Sequence, residues 1–334
     1  MYLNIVYKKT VFRFIIVFQI KHGYLTADGC SAPAVFHVLN GEKKPVMRLP
    51  AKNAVFLFLA ALIWGTAFVA QSVGMDYVGP FTFNACRYVI GSAVLLPLVL
   101  LRKRRAGTGI FSRNDLRAGA ACGFFLAVAS NLQQAGIMTT DVGKAGFLTA
   151  MYIVIVPVLH FFLTRRSSLR LWISAAIAAA GLYFLSISGS WTLETGDILL
   201  ILCALVFSLH ILCIDHFSGT SDGVAVSCLQ FLTAAVLSWA GALLTETVLW
   251  DTIRQAGPAI LYAGVFSCGV AYTLQIMGQK GADPGPASLI LSLESVVSVI
   301  AGFIFLGQAL TARELLGCAL MFLAIMLVQL PEKK

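Results

Sequence analysis

The sequence predicts an all-α polytopic membrane protein with ten transmembrane helices arranged as two inverted five-helix repeats. Three observations carry that expectation. Ten apolar stretches of about 16 to 23 residues succeed one another from Ala54 to Leu330, and about 20 helical residues cross a hydrocarbon core roughly 30 Å thick. The chain is 59% hydrophobic and 12% charged, with a mean hydropathy of +0.86, where a soluble domain carries about 25% charged residues. Polar features of the second half also fall on those of the first at a shift of 142 to 143 residues.

The expected spans, in order, are 54–74, 80–101, 117–137, 144–164, 171–188, 197–214, 223–245, 258–278, 284–306 and 314–330. Only a helix or a closed barrel satisfies its backbone inside lipid, and runs of this length suit helices. The breaks between them are short, which leaves no room for a sizeable water-soluble domain. Basic residues fall on alternate breaks: Arg102, Lys103, Arg104, Arg105, Arg113 and Arg117 after the second span, and Arg165, Arg166 and Arg170 after the fourth. Lys43, Lys44, Arg48 and Lys52 precede the first span, Lys280 follows the eighth, and Lys333 and Lys334 close the chain. The other connections hold only Lys144, Arg254 and Arg313. Positive charge in short loops marks the cytoplasmic side, so both termini are expected in the cytoplasm. The formal charge of +9 therefore reports topology, and nucleic acid is not an expected partner.

Residues 1–46 read differently. Their most apolar run, Phe14 to Ile20, is too short to span, and Lys8, Lys9 and Arg13 interrupt what precedes it. The segment is expected to be an extension outside the fold, either preceding a start at Met47 or forming a disordered or surface-lying arm. The eight cysteines show no paired CxxC spacing and read as small packing residues.

In the repeat, Gln133, Gly136, Asp141 and Ala145 fall on Gln275, Gly278, Asp283 and Ala287, Ala61 to Gly65 on Ala204 to Ser208, and Arg87 on Gln230. The units are 54–188 and 197–330. Five crossings return the chain to the opposite side, so the second unit is inserted upside down. That architecture suits alternating-access carriers, whose substrate binds near the midplane between the repeats.

Ala60-Ala61-Leu62-Ile63-Trp64-Gly65, Asn84-Ala85-Cys86-Arg87-Tyr88, Gly143-Lys144-Ala145-Gly146-Phe147-Leu148 leading to Pro157, and Ala287-Ser288-Leu289-Ile290-Leu291-Ser292-Leu293-Glu294 resemble the drug/metabolite transporter superfamily, EamA type. The resemblance covers about residues 54–330. It implies a ten-helix bundle in the inner membrane of a bacterium, moving a small organic metabolite, often outward. Two positions depart from the family pattern. Ser295 stands where Pro usually follows the ninth-helix Glu, so a kink is less expected there. Gln308 replaces a Glu, which removes a carboxylate from that position.

Ionisable side chains at bilayer depth are costly and face the bundle interior or a watery cavity. Glu294, about ten residues into the ninth span, is expected to bind a proton or a cationic group, or else to cap a broken helix or pair with Arg87. Arg87 is expected to snorkel or brace the second helix, the alternative being an anchor for an anionic substrate. Asn131, Gln133 and Gln134 crowd one end of the third span, and Gln275 and Gln279 lie in the eighth. The repeat-related pair Gln133 and Gln275 is the better candidate for holding substrate. Trp64 and Tyr152 are candidate cavity aromatics. His160 and His210 belong to no HExxH or Cys/His cluster, and no GxxxxGK[ST] loop is present. No metal, cofactor or ATP is therefore expected, and a proton or other ion gradient is the candidate driving partner. Further partners are the bilayer and, as a candidate, a second copy of the chain. The competing class is a membrane-embedded enzyme or scaffold using Glu294 and Arg87.

Overall fold

The computed structural model describes residues 49–107, 109–140, 142–165, 168–186, 194–306 and 311–330. The extension expected over 1–46 lies outside these residues, as does Gln308. Everything described is helical or connecting turn. The first half holds α1 (Ala51–Gly74), α2 (Pro80–Ala106), α3 (Arg113–Ile137), a fourth helix in two pieces, α4a (Val142–Ala150) and α4b (Tyr152–Thr164), and α5 (Leu169–Ser186). The second half holds α6 (Thr195–Ser218), α7 (Gly223–Thr245), a composite eighth helix, a ninth in two pieces, α9a (Pro284–Leu291) and α9b (Leu293–Leu306), and α10 (Ala312–Gln329). The eighth consists of α8a (Gly257–Tyr262), a π-helical stretch (Ala263–Tyr272) and α8b (Thr273–Gln279). A short helix, Trp250–Gln255, not expected from the sequence, precedes it.

Among the described residues seven helices are long and apolar enough to cross a membrane: α1, α2, α6, α7, and the composite fourth, eighth and ninth. Leu169–Phe184 and Leu315–Val328 are shorter apolar helices. Local signals set the ends. Pro80 opens α2, whose last turn carries Lys103, Arg104 and Arg105 against the negative end of the helix dipole, and Gly107 closes it at φ +64°. Ser112 and Asp115 form a capping box on α3. The carboxylates of Asp222 and Asp283 cap α7 and α9a.

The ninth helix is interrupted at Ser292, two residues before Glu294, although Ser295 rather than proline follows that Glu. Serine hydroxyls supply the reason. Ser288 Oγ donates to the Gly285 carbonyl and Ser292 Oγ to that of Leu289, at 2.8 and 2.7 Å. Such back-bonding competes with the helical ladder and bends it. The fourth helix breaks at Met151, the residue before Tyr152, so both broken helices are interrupted beside a candidate site residue.

The helix packing is nearly unchanged when each helix is exchanged for the one five further on. Helix α2 packs on α7, α5 on α10, and the fourth on the ninth. The pairs α3 with α6, α3 with α7 and the fourth with α6 are matched by the eighth with α1, the eighth with α2 and the ninth with α1. Close contacts at glycine give the register. A Cβ on Gly136 would stand 2.6 Å from Leu200 Cγ and 3.0 Å from the Gly196 carbonyl oxygen. A Cβ on Gly278 would stand 2.8 Å from Leu57 Cγ and 3.1 Å from the Asn53 carbonyl oxygen. These are the same contact in two copies, since each partner is displaced by 142 or 143 residues.

One more residue separates the marks in the eighth helix than in α3. Gly123 meets the Gln230 carbonyl and Thr233, and Gly264 meets the Arg87 carbonyl and Ile90, a displacement of 141 for the glycines where Gly136 and Gly278 differ by 142. The π-helical stretch begins at the first of those marks and ends before the second, and its wider winding absorbs the extra residue.

The paired helices of the two halves run antiparallel. At one end of α2 and α7 the Glu246 carboxylate accepts from the Phe81 and Thr82 amides at 2.8 and 2.9 Å and from the Thr82 hydroxyl at 2.6 Å. At the other end Arg102 and Lys103 pair with Asp222, while Asp115 accepts the Asp222 amide at 2.9 Å. Burial pushes the Asp115 carboxyl up, but the Asp222 and Ser112 amides, the Ser112 hydroxyl and Lys103 outweigh it and hold it below the usual carboxylate range. Arg170 at the start of α5 likewise donates to the Leu330 carbonyl just past the end of α10.

Candidate functional site: a central cavity between the halves

A cavity whose free space, its open side included, is about 490 Å³ lies where α1, α2, α3 and the fourth helix meet α6, the eighth helix and the ninth. Ten of its polar lining side chains are no more than 6% exposed, while Trp64 and Phe207 on the wall are only partly buried. Its walls repeat the symmetry of the scaffold. Trp64 and Phe68 are mates of Phe207 and Ile211, Gln133 of Gln275, and Thr149 and Tyr152 of Leu291 and Glu294, and both members of every pair line the cavity.

Six of the seven residues singled out from the sequence meet here. The Tyr152 hydroxyl donates to Glu294 Oε1 at 2.8 Å, which joins the two broken helices directly beside their interruptions. Gln133 Nε2 reaches Thr149 Oγ1 at 3.4 Å, Gln275 leaves its Oε1 without a hydrogen-bond partner, and Trp64 Nε1 donates to the Ser267 carbonyl at 3.3 Å. Asn131 is placed elsewhere. It accepts from Asn84 at 2.8 Å and donates to Ser238 at 2.9 Å, tying α2, α3 and α7 together behind the wall.

Arg87 does not snorkel. It is 2% exposed and lines the cavity, with Nη1 donating to Gln71 Oε1 at 2.9 Å and Nη2 to the Tyr88 hydroxyl at 3.2 Å. The guanidinium lies over the Tyr88 and Phe83 rings, 5.0 and 5.7 Å from their centroids. Its place explains the difference from expectation: α2 is covered by α7 and the eighth helix, so a side chain on that face points into protein. Glu294 and Arg87 form no ion pair, because Glu294 is held by Tyr152 instead.

Nine lining residues were not site candidates from the sequence: Phe68, Gln71, Thr149, Phe207, His210, Ile211, Ser267, Tyr272 and Leu291. The match of Ala61 to Gly65 with Ala204 to Ser208 already set Phe207 on the candidate Trp64. Gln71 and His210 mark corresponding corners, since Gln71 binds Arg87 while His210 Nε2 lies 3.1 Å from Oε1 of Gln230, the mate of Arg87. Ser267 and Tyr272 come from the π-helical stretch, which has no counterpart in α3. The described residues hold no group of three or more His, Cys, Asp or Glu side chains that could bind a metal.

The sequence profile of the EamA-like transporter family matches the chain twice, over residues 51–187 and 194–330. An uncharacterized transporter of Archaeoglobus fulgidus is 29% identical over 308 residues, covering 92% of this chain and 94% of its own length. The uncharacterized transporter YwfM of Bacillus subtilis is 26% identical, with 84% and 95% covered, and the uncharacterized inner membrane transporter YedA of Escherichia coli K12 is 21% identical, with 82% and 89% covered. A protein of known crystal structure superposes with a TM-score of 0.67 at 19% identity, covering 82% of this chain and 95% of that one, which shows the shared fold. A membrane-embedded enzyme is thereby set aside as the class of this protein. With two matching halves, apolar helices throughout and full-length relatives named as transporters, the chain belongs to the EamA-like transporter family.

Proposed function

We propose that the protein is a secondary transporter that moves a small organic metabolite across the inner membrane of a bacterium by alternating access, with export as its direction. The chain crosses the membrane ten times, and its units 54–188 and 197–330 are inserted with opposite polarity and both termini in the cytoplasm. The observation that carries this reading is the cavity walled by matched positions of the two halves. A scaffold that is nearly unchanged on exchanging its halves has two arrangements of similar energy, one opening the cavity to each side. Antiparallel packing of α2 on α7 and of α5 on α10 supports the opposite insertion of the units.

Glu294 is the coupling site, taking up and releasing a proton as the cavity changes sides, and Tyr152 orients it. An ion or solute gradient supplies the driving force. Counterflow in proteoliposomes tests the reading. A carrier shows saturable exchange of unaltered solute, whereas conductance without counterflow would make it a channel. Reporter fusions at Leu101 and Gly219 test the topology, and placing these residues on opposite faces of the bilayer overturns the inverted arrangement.

A further inference from the structure

We infer that the solute carries a carboxylate, and that Arg87 is the residue that selects it. The inference rests on the cavity being a transport site and goes on to name the chemistry it accepts. A guanidinium has five N–H donors in a planar fork. In Arg87 one Nη donates to an amide and the other to a phenol, both neutral groups, and Nε has no hydrogen-bond partner although it is buried. Among the described residues no carboxylate lies within salt-bridge distance of Arg87.

A buried cation without a counter-ion is costly. The aromatic faces of Tyr88 and Phe83 offset part of that cost, and an anion delivered to the free edge would offset far more. The edge bearing Nε presents a donor pair suited to the two oxygens of a carboxylate. Elsewhere the cavity is lined by Trp64, Phe68 and Phe207, which suit an apolar body. In the second half Gln230 stands at the position of Arg87 and meets His210, so the guanidinium has no counterpart at the matched position and fixes which end of the solute meets it.

The test is binding to the full chain in detergent or nanodiscs, read by thermal stability and tryptophan fluorescence, with isosteric pairs: benzoate and benzamide, indole-3-acetate and indole-3-acetamide, isobutyrate and isobutyramide. Each pair differs in charge at nearly constant shape. The expected result is that at least one carboxylate binds about tenfold or more tighter than its amide. Arg87→Gln should erase that preference while Arg87→Lys keeps part of it. Equal binding within every pair, absence of binding by all three carboxylates, or a preference that survives Arg87→Gln overturns the inference. If Arg87→Gln does not fold, the wild-type pairs and Arg87→Lys decide. A carboxylate that binds with this preference but shows no counterflow in liposomes sinks the transporter reading and leaves the assignment of Arg87 intact.

Discussion

In the first half of the bundle Arg87 meets Gln71, and at the corresponding corner of the second half Gln230 meets His210. In the first half Tyr152 follows the helix break, and in the second Glu294 does. Around these differences the scaffold is repeated closely enough that Gly136 on Leu200 and Gly278 on Leu57 make the same contact. A duplicated backbone supplies two equivalent walls, and unequal side chains at matched positions give the space between them a chemical direction. The π-helical stretch adds a further inequality, because it turns Ser267 and Tyr272 into the cavity with no equivalent on the other side.

The largest expected effect lies at the pair where the halves meet. Glu294→Gln should lower gradient-driven transport by roughly tenfold or more, equivalent to about 1.4 kcal/mol, and remove its dependence on a pH gradient. Tyr152→Phe, which leaves the carboxyl in place, should cost less. Proteoliposome flux with and without a pH gradient measures both, and unchanged coupling in Glu294→Gln discards the proton role. Deleting Val270 should return the eighth helix to the register of α3 and move Tyr272 relative to Glu294. Flux is expected to fall by roughly tenfold while the chain still folds, since a π-bulge is a local one-residue insertion. Wild-type flux would mean that the inequality has no functional part.

Matched overpacking sharpens the comparison at the scaffold. Gly136→Val and Gly278→Val should each destabilise by about 1–3 kcal/mol, and by similar amounts, as read from thermal unfolding in detergent. A silent variant in one half with a severe one in the other breaks the equivalence. The two ends of α2 and α7 give the smallest effect. Glu246→Gln should cost about 1–2 kcal/mol through loss of the charged cap on α2. Asp115 is held below its usual range in the folded protein, so its contribution is complete above the unfolded value of about 3.9 and disappears as pH falls through the lower folded value. Asp115→Asn should therefore flatten the loss of stability below about pH 4, measured as melting temperature against pH; an unchanged acid slope refutes that contribution.

Much of this was legible along the chain. Helix positions follow from apolar length, and the observed ends of α7 at Gly223 and Thr245 and the outer ends of the ninth helix at Pro284 and Leu306 coincide with those expected. Repeat matching led to Gln133 and Gln275, which face each other's half across the cavity. The interruption at Ser292 was not legible, because a proline rule says nothing of two serines whose hydroxyls back-bond at successive turns. Asn131 was misleading for a related reason: on a helix buried on several sides, an amide can serve a neighbour or a cavity, and its sequence position does not say which.

The sequence by itself determined the solvent and the symmetry of this protein. Apolar runs of membrane length and a repeating pattern of polar residues are one-dimensional properties, and the hydrophobic effect and backbone hydrogen bonding convert them directly into helices and halves. Only the tertiary structure decided which polar groups face one another. It put Arg87 in the cavity wall with no carboxylate partner among the described residues, gave Glu294 to Tyr152 and sent Asn131 behind the wall. Such choices depend on helix rotation within fractions of a turn, and rotation is fixed by close packing among several helices at once.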